Sequence, residues 1–191
     1  MMTTKPTSLE NLPRRIALPL AAVSALIYVA AIVLANVLVK HFGLIDLHLW
    51  GMMVPAGTFA IGVVILARNT TQQLIGRIPI LVLMGIGCLL SWWLADPQIA
   101  AASAAAFACS ETIDMAIFTP LRNRGWSRAV AVAALFAAVA DTFIFLSIAG
   151  FPLTAPIVGG QLFVKIGISW AVAVGVWLAT LNTRTGAMAT S

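Results

Sequence analysis

The stretch Ile16–Val39, IALPLAAVSALIYVAAIVLANVLV, carries no charged residue between Arg15 and Lys40. A helix crosses a hydrocarbon core of roughly 30 Å with about 20 residues, so this block is long enough to span a bilayer. Lys5, Arg14 and Arg15 precede it, as a basic segment precedes a secretion signal. The apolar core of such a signal runs only about 7–15 residues, so the block reads as a first membrane helix.

Five further apolar blocks follow: Trp50–Ala67, Ile78–Ala95, Gln98–Phe118, Arg128–Ala149 and Ile157–Leu181. They fill most of a 191-residue chain that is 61% hydrophobic and 9% charged. That charge content is too low for the solvated shell of a soluble domain. The fold expected is all-α: a polytopic membrane protein of about six transmembrane helices. Residues 1–15 form a polar tail, 16–181 the transmembrane domain and 182–191 a second tail. The segments between blocks read as loops, chiefly Lys40–Leu49, Arg68–Arg77 and Thr119–Ser127. Asp96-Pro97 forms a tight turn, with Pro97 suited to a first helical turn.

The charges set the orientation. Lys5, Arg14, Arg15, Arg68, Arg77, Arg122, Arg124, Arg128 and Arg184 fall on one side of the alternating blocks, and only Lys40 on the other. Such a bias places both termini in the cytoplasm of a bacterial inner membrane. It also accounts for the net charge of +5, which in a soluble protein would suggest nucleic acid. No nucleic-acid partner is expected; the lipid bilayer is. Cys88 and Cys109 lie far apart inside apolar blocks and suggest neither a disulfide nor a metal site. His41 and His48 share a loop with Asp46, too little for a metal assignment. No phosphate-binding GxxxxGK[ST] motif is present, and no cofactor is implied.

Four ionisable residues lie where charge is expensive: Glu111, Asp114, Asp141 and Lys165. A charge at a helix centre costs about 2.5–3.5 kcal/mol on insertion scales, so these side chains face a protein interior. Asp141 and Lys165 stand about 12 residues either side of the turn near Pro152, roughly 18 Å deep on neighbouring antiparallel helices. They suit direct pairing, and such a pair can also serve purely to hold helices together. Glu111 and Asp114 share a face, as do Gln161, Lys165 and Ser169. Three buried acids against one buried base leave a surplus of negative charge, which a ligand with hydrogen-bond donors, or a proton, would explain. Asn36 and Thr58 add polar groups, and also suit helix–helix hydrogen bonding. The expected substrate-binding set is Asn36, Thr58, Glu111, Asp114, Asp141, Gln161 and Lys165. Trp50, Trp92, Trp93 and Trp126 fall near block ends, as interfacial anchors do. Trp170 and Trp177 lie within the last block, where stacking on a ligand competes with packing.

The segment Ser110–Arg128, SETIDMAIFTPLRNRGWSR, resembles the signature of the vitamin uptake transporter family, also described as queuosine precursor transporters. Similar segments are Leu34–Leu44 (LANVLVKHFGL), Val54–Asn69 (VPAGTFAIGVVILARN), Val139–Pro152 (VADTFIFLSIAGFP) and Gly159–Lys165 (GGQLFVK). The resemblance implies import of 7-deazaguanine bases, such as the 7-cyano and 7-aminomethyl forms, or queuine. A guanine-like edge offers two N–H donors that a carboxylate accepts in a fork. Glu111 or Asp114 would fill that role, with Lys165 or Gln161 at the opposite O6 acceptor and Phe118 or Phe145 over the ring.

Two other readings stand beside this. An intramembrane enzyme would use buried carboxylates, as when two aspartates share a proton; Asp114 and Asp141 lack the Gly-rich surroundings that chemistry uses. A substrate-binding subunit would take its energy from a partner. A homo-oligomer and an unidentified energising partner both stay open.

Overall fold

The computed structural model describes residues 13–121 and 126–188. Six helices dominate: α1 (Arg14–Phe42), α2 (Ile61–Ile75), α3 (Arg77–Leu94), α4 (Pro97–Leu121), α5 (Trp126–Ala149) and α6 (Ala155–Met188). Among the described residues, Arg14–Phe42, Pro97–Leu121 and Val132–Ala149 are long and apolar enough to cross a membrane, and Ile78–Leu94 is a shorter apolar helix. Large apolar side chains face outward along them, Leu26, Val82, Leu89 and Phe136 among them. An interior no more apolar than its surroundings is what lipid solvation permits. Trp50, Trp92 and Trp93 are exposed near element ends. Trp126 and Trp177 have side chains outside the described set.

Where loop Lys40–Leu49 and a helix from Trp50 were expected, the chain does something else. It forms a hairpin of β1 (Leu44–Asp46) and β2 (Met53–Pro55), antiparallel with Ile45 opposite Val54. A 3₁₀ turn, Ala56–Ala60, leads into α2. Val54, Pro55, Ala56, Gly57 and Thr58 are all buried. Irregular backbone at this depth is tolerable only when packed inside protein, where its polar groups find partners. Here Ala56 N–H donates to the Gly43 carbonyl at 2.9 Å, closing the base of the hairpin. Gly57 seats against the backbone of Ala35 on α1, and Gly160 of α6 against that of Met53; a Cβ at either would strike main-chain atoms.

The late start of α2 moves its end. It runs through the segment expected as loop Arg68–Arg77 and stops at Ile75, before Gly76 with φ +87°. Thr71 is fully buried there; its hydroxyl lies 2.8 Å from the Ala67 carbonyl and 2.8 Å from Ser24 of α1. Arg68 is therefore a helix-interior residue, and the expected basic bias at that end loses one member.

The α3–α4 corner follows the sequence reading. Asp96 Oδ1 accepts from the backbone N–H groups of Gln98 (2.8 Å) and Ile99 (3.1 Å), with Pro97 at the first helical position. The helix then passes Thr119 and ends at Leu121. Residues 122–125 of the expected loop Thr119–Ser127 lie outside the described set. α4 packs most extensively on α5; alanines such as Ala102, Ala106 and Ala133, all buried, let the two backbones approach closely.

Candidate functional site

A cavity of about 90 Å³ lies in the middle of the bundle, and every helix contributes to it. α1 supplies Ile32, Asn36 and Val39, the hairpin and 3₁₀ turn Pro55, Gly57 and Thr58, and α2 Ile61 and Val64. Cys88 of α3, Ser103 and Phe107 of α4, Asp141 and Phe145 of α5, and Gln161 and Lys165 of α6 complete it.

Five of the seven residues expected at the site meet there: Asn36, Thr58, Asp141, Gln161 and Lys165. Lys165 donates to the Asp141 carboxylate, the pairing the equal-depth argument expects, and lies 3.2 Å from the Thr142 hydroxyl. Their side chains are 8% and 23% exposed, so the pair fronts the cavity while its stems are packed. Ser103 donates to Asn36 Oδ1 at 2.6 Å, tying α4 to α1. Among the described residues, Asn36 Nδ2 and Gln161 Oε1 are buried without a hydrogen-bond partner. Buried polar atoms are rarely left so, because each forfeits its hydration. The cavity thus offers a spare donor, a spare acceptor and a self-compensated ion pair.

Glu111 and Asp114 are not brought to this cavity. Glu111 accepts from the Arg68 guanidinium, with both side chains mostly buried, and Asp114 lies a further turn along α4. The expected surplus of buried negative charge shrinks accordingly, because Arg68 lies within α2 rather than in a loop and supplies a second buried base. Asp114 and Asp141 do not share the cavity, so no carboxylate pair forms there. Phe145 lines the cavity and Phe118 does not; Trp170 and Ser169 are exposed. Ser103 and Phe107 were missed. Their signal was present: Ser103 interrupts an alanine run and, with Phe107, falls on the helical face that leads to Glu111. Outside the bundle, Asp46 accepts the His48 backbone N–H at 2.7 Å. That bond, with the His48 side chain, holds the Asp46 carboxyl below its usual range.

A helical bundle with outward apolar faces, irregular buried backbone before α2 and a mostly apolar interior cavity fronted by an ion pair is an architecture of multi-pass membrane proteins. The vitamin uptake transporter family model matches residues 20–179. The chain belongs to that family. No curated protein and no solved structure matches it.

Proposed function

We propose that this chain imports queuosine precursors, 7-deazaguanine bases, across the bacterial inner membrane, with both termini cytoplasmic. The carrying observation is the central cavity, where buried Asn36 Nδ2 and Gln161 Oε1 lack partners beside a compensated Asp141–Lys165 pair. A neutral pair favours a ligand with no net charge at the ring. A guanine-like base presents N–H donors and carbonyl acceptors around its rim, the complement of these groups. An ammonium has three donors; Asp141 and Thr142 take two from Lys165, leaving one for the base carbonyl. The free lone pairs of Asp141 and the Gln161 oxygen take the ring N–H groups. Phe107 and Phe145 supply apolar cover.

At about 90 Å³ the cavity is smaller than the ~150 Å³ engineered cavity that admits benzene. A fused two-ring base enters only when the lining widens, so the closed form described here is one end of a cycle. The test is uptake of labelled 7-cyano-7-deazaguanine by cells lacking their own synthesis and transport, with and without this gene. Gene-dependent uptake is expected. Equal uptake in both, with protein present in the membrane, refutes the reading.

A further inference from the structure

On one side of the cavity three helices repeat the same step. Tyr28 stands four residues before Ile32 on α1, Arg68 four after Val64 on α2, and Glu111 four after Phe107 on α4. α1 runs antiparallel to α2 and α4, so all three offsets point to one end, where α1 begins and α2 and α4 finish. Four residues rise about 6 Å. The cavity is therefore floored by an apolar layer, and a polar layer lies directly beyond it. Tyr28, Ile32, Val64 and Cys88 pack as one buried cluster, with Phe107 against it.

The polar layer is an ion pair between α2 and α4. Arg68 and Glu111 are 22% and 14% exposed at the side chain, sealed enough to block a path yet still in reach of solvent. Tyr28 is fully buried, and among the described residues its hydroxyl and Arg68 Nε have no hydrogen-bond partner. Tyr28 lies within electrostatic reach of both Arg68 and Glu111. Two spare donors at a closed pair are groups that gain partners when water enters.

We propose that the Arg68–Glu111 pair, with Tyr28 beside it, is the gate that closes the cavity towards the face bearing Arg14, Gly76 and Leu121. It rests on reading the cavity as a transport site. Opening parts α2 from α4 by exchanging the pair's mutual contact for water, while the binding groups above keep their geometry. Breaking the pair by mutation biases the protein to the open state.

Cys88 lines the cavity and is buried, whereas Cys109 is exposed. With Cys109→Ser as background, Cys88 becomes a reporter for a membrane-impermeant cationic methanethiosulfonate applied to one membrane face at a time. Glu111→Gln or Arg68→Gln is expected to speed labelling of Cys88 from the Gly76 face about tenfold, with no change from the hairpin face. The exchange Arg68→Glu with Glu111→Arg should restore slow labelling. Unchanged rates in both single variants, or acceleration confined to the hairpin face, overturn the gate. Should the single variants fail to elute as folded protein, Glu111→Asp, which keeps the charge but shortens the reach, is read instead: faster labelling supports the gate and an unchanged rate overturns it. Binding of 7-cyano-7-deazaguanine is measured alongside. Binding with unaltered labelling rejects the gate and leaves the substrate standing; altered labelling without binding in the parent does the reverse.

Discussion

Replacing Lys165 by methionine keeps most of its length and removes its charge. Asp141 then faces the cavity without its ammonium, and Thr142 loses a donor. Removing one partner of a buried pair costs about 3–5 kcal/mol because the other charge is stranded. Asp141 retains 23% exposure, so the low end applies, about 3 kcal/mol, or roughly a hundredfold in the folding equilibrium. Adding Asp141→Asn removes the stranded charge, and the double variant should lie within about 1 kcal/mol of the parent. The double variant is then about 2 kcal/mol more stable than Lys165→Met alone. Reversible unfolding in mixed micelles of rising anionic detergent, followed by tryptophan fluorescence, measures all four proteins. If the double variant is as unstable as Lys165→Met alone, the two residues are not energetically coupled and the pairing argument fails.

Other outcomes follow from the same geometry. Gly160→Ala should lose about 1–3 kcal/mol or more by driving a methyl into the Met53 backbone, while Gly159→Ala, with open space around it, stays close to the parent; equal stabilities would mean the hairpin is not seated on α6. Gln161→Leu removes an acceptor that has no partner, so folded yield should hold while affinity for 7-cyano-7-deazaguanine drops at least about tenfold; unchanged affinity removes Gln161 from the site. Asp46 should titrate below the ordinary carboxylate range by carbon-13 NMR. Its support of the hairpin is present above the unfolded-state pKa and lost only as pH falls through the lowered value. A titration at or above the usual range would show that the bond from the His48 N–H does not hold in solution.

The bilayer made much of this fold legible. Uninterrupted apolar length announces a membrane helix, and short turns fix depth well enough to match Asp141 with Lys165. The second block deceived because MMVPAGTFA is as apolar as a helix, and a short apolar run cannot separate buried extended chain from buried helix. Its consequence travelled. A helix that starts at Ile61 rather than Trp50 must run to Ile75, so RNTTQQ, polar enough to read as a loop, became helix interior. Arg68 came inside with it and pairs with Glu111, away from the lining of the central cavity. Thr71 shows why this is stable: its hydroxyl is satisfied by Ser24 and by its own helix. The late helix start thus accounts for both the Arg68–Glu111 pair and a second buried base.

The seat of Gly160 against Met53 also constrains how the protein is made. The ribosome delivers the hairpin more than a hundred residues before α6 (Met53 and Gly160 are that far apart), so newly inserted chain holds a segment that has α1 behind Gly57 but nothing yet against Met53. The side of Met53 that meets Gly160 stays open until the last helix arrives. Premature termination anywhere before Gly160 leaves the Met53 backbone without its seat on α6. Completion of the carrier is therefore a late event in synthesis, set by the arrival of its final helix.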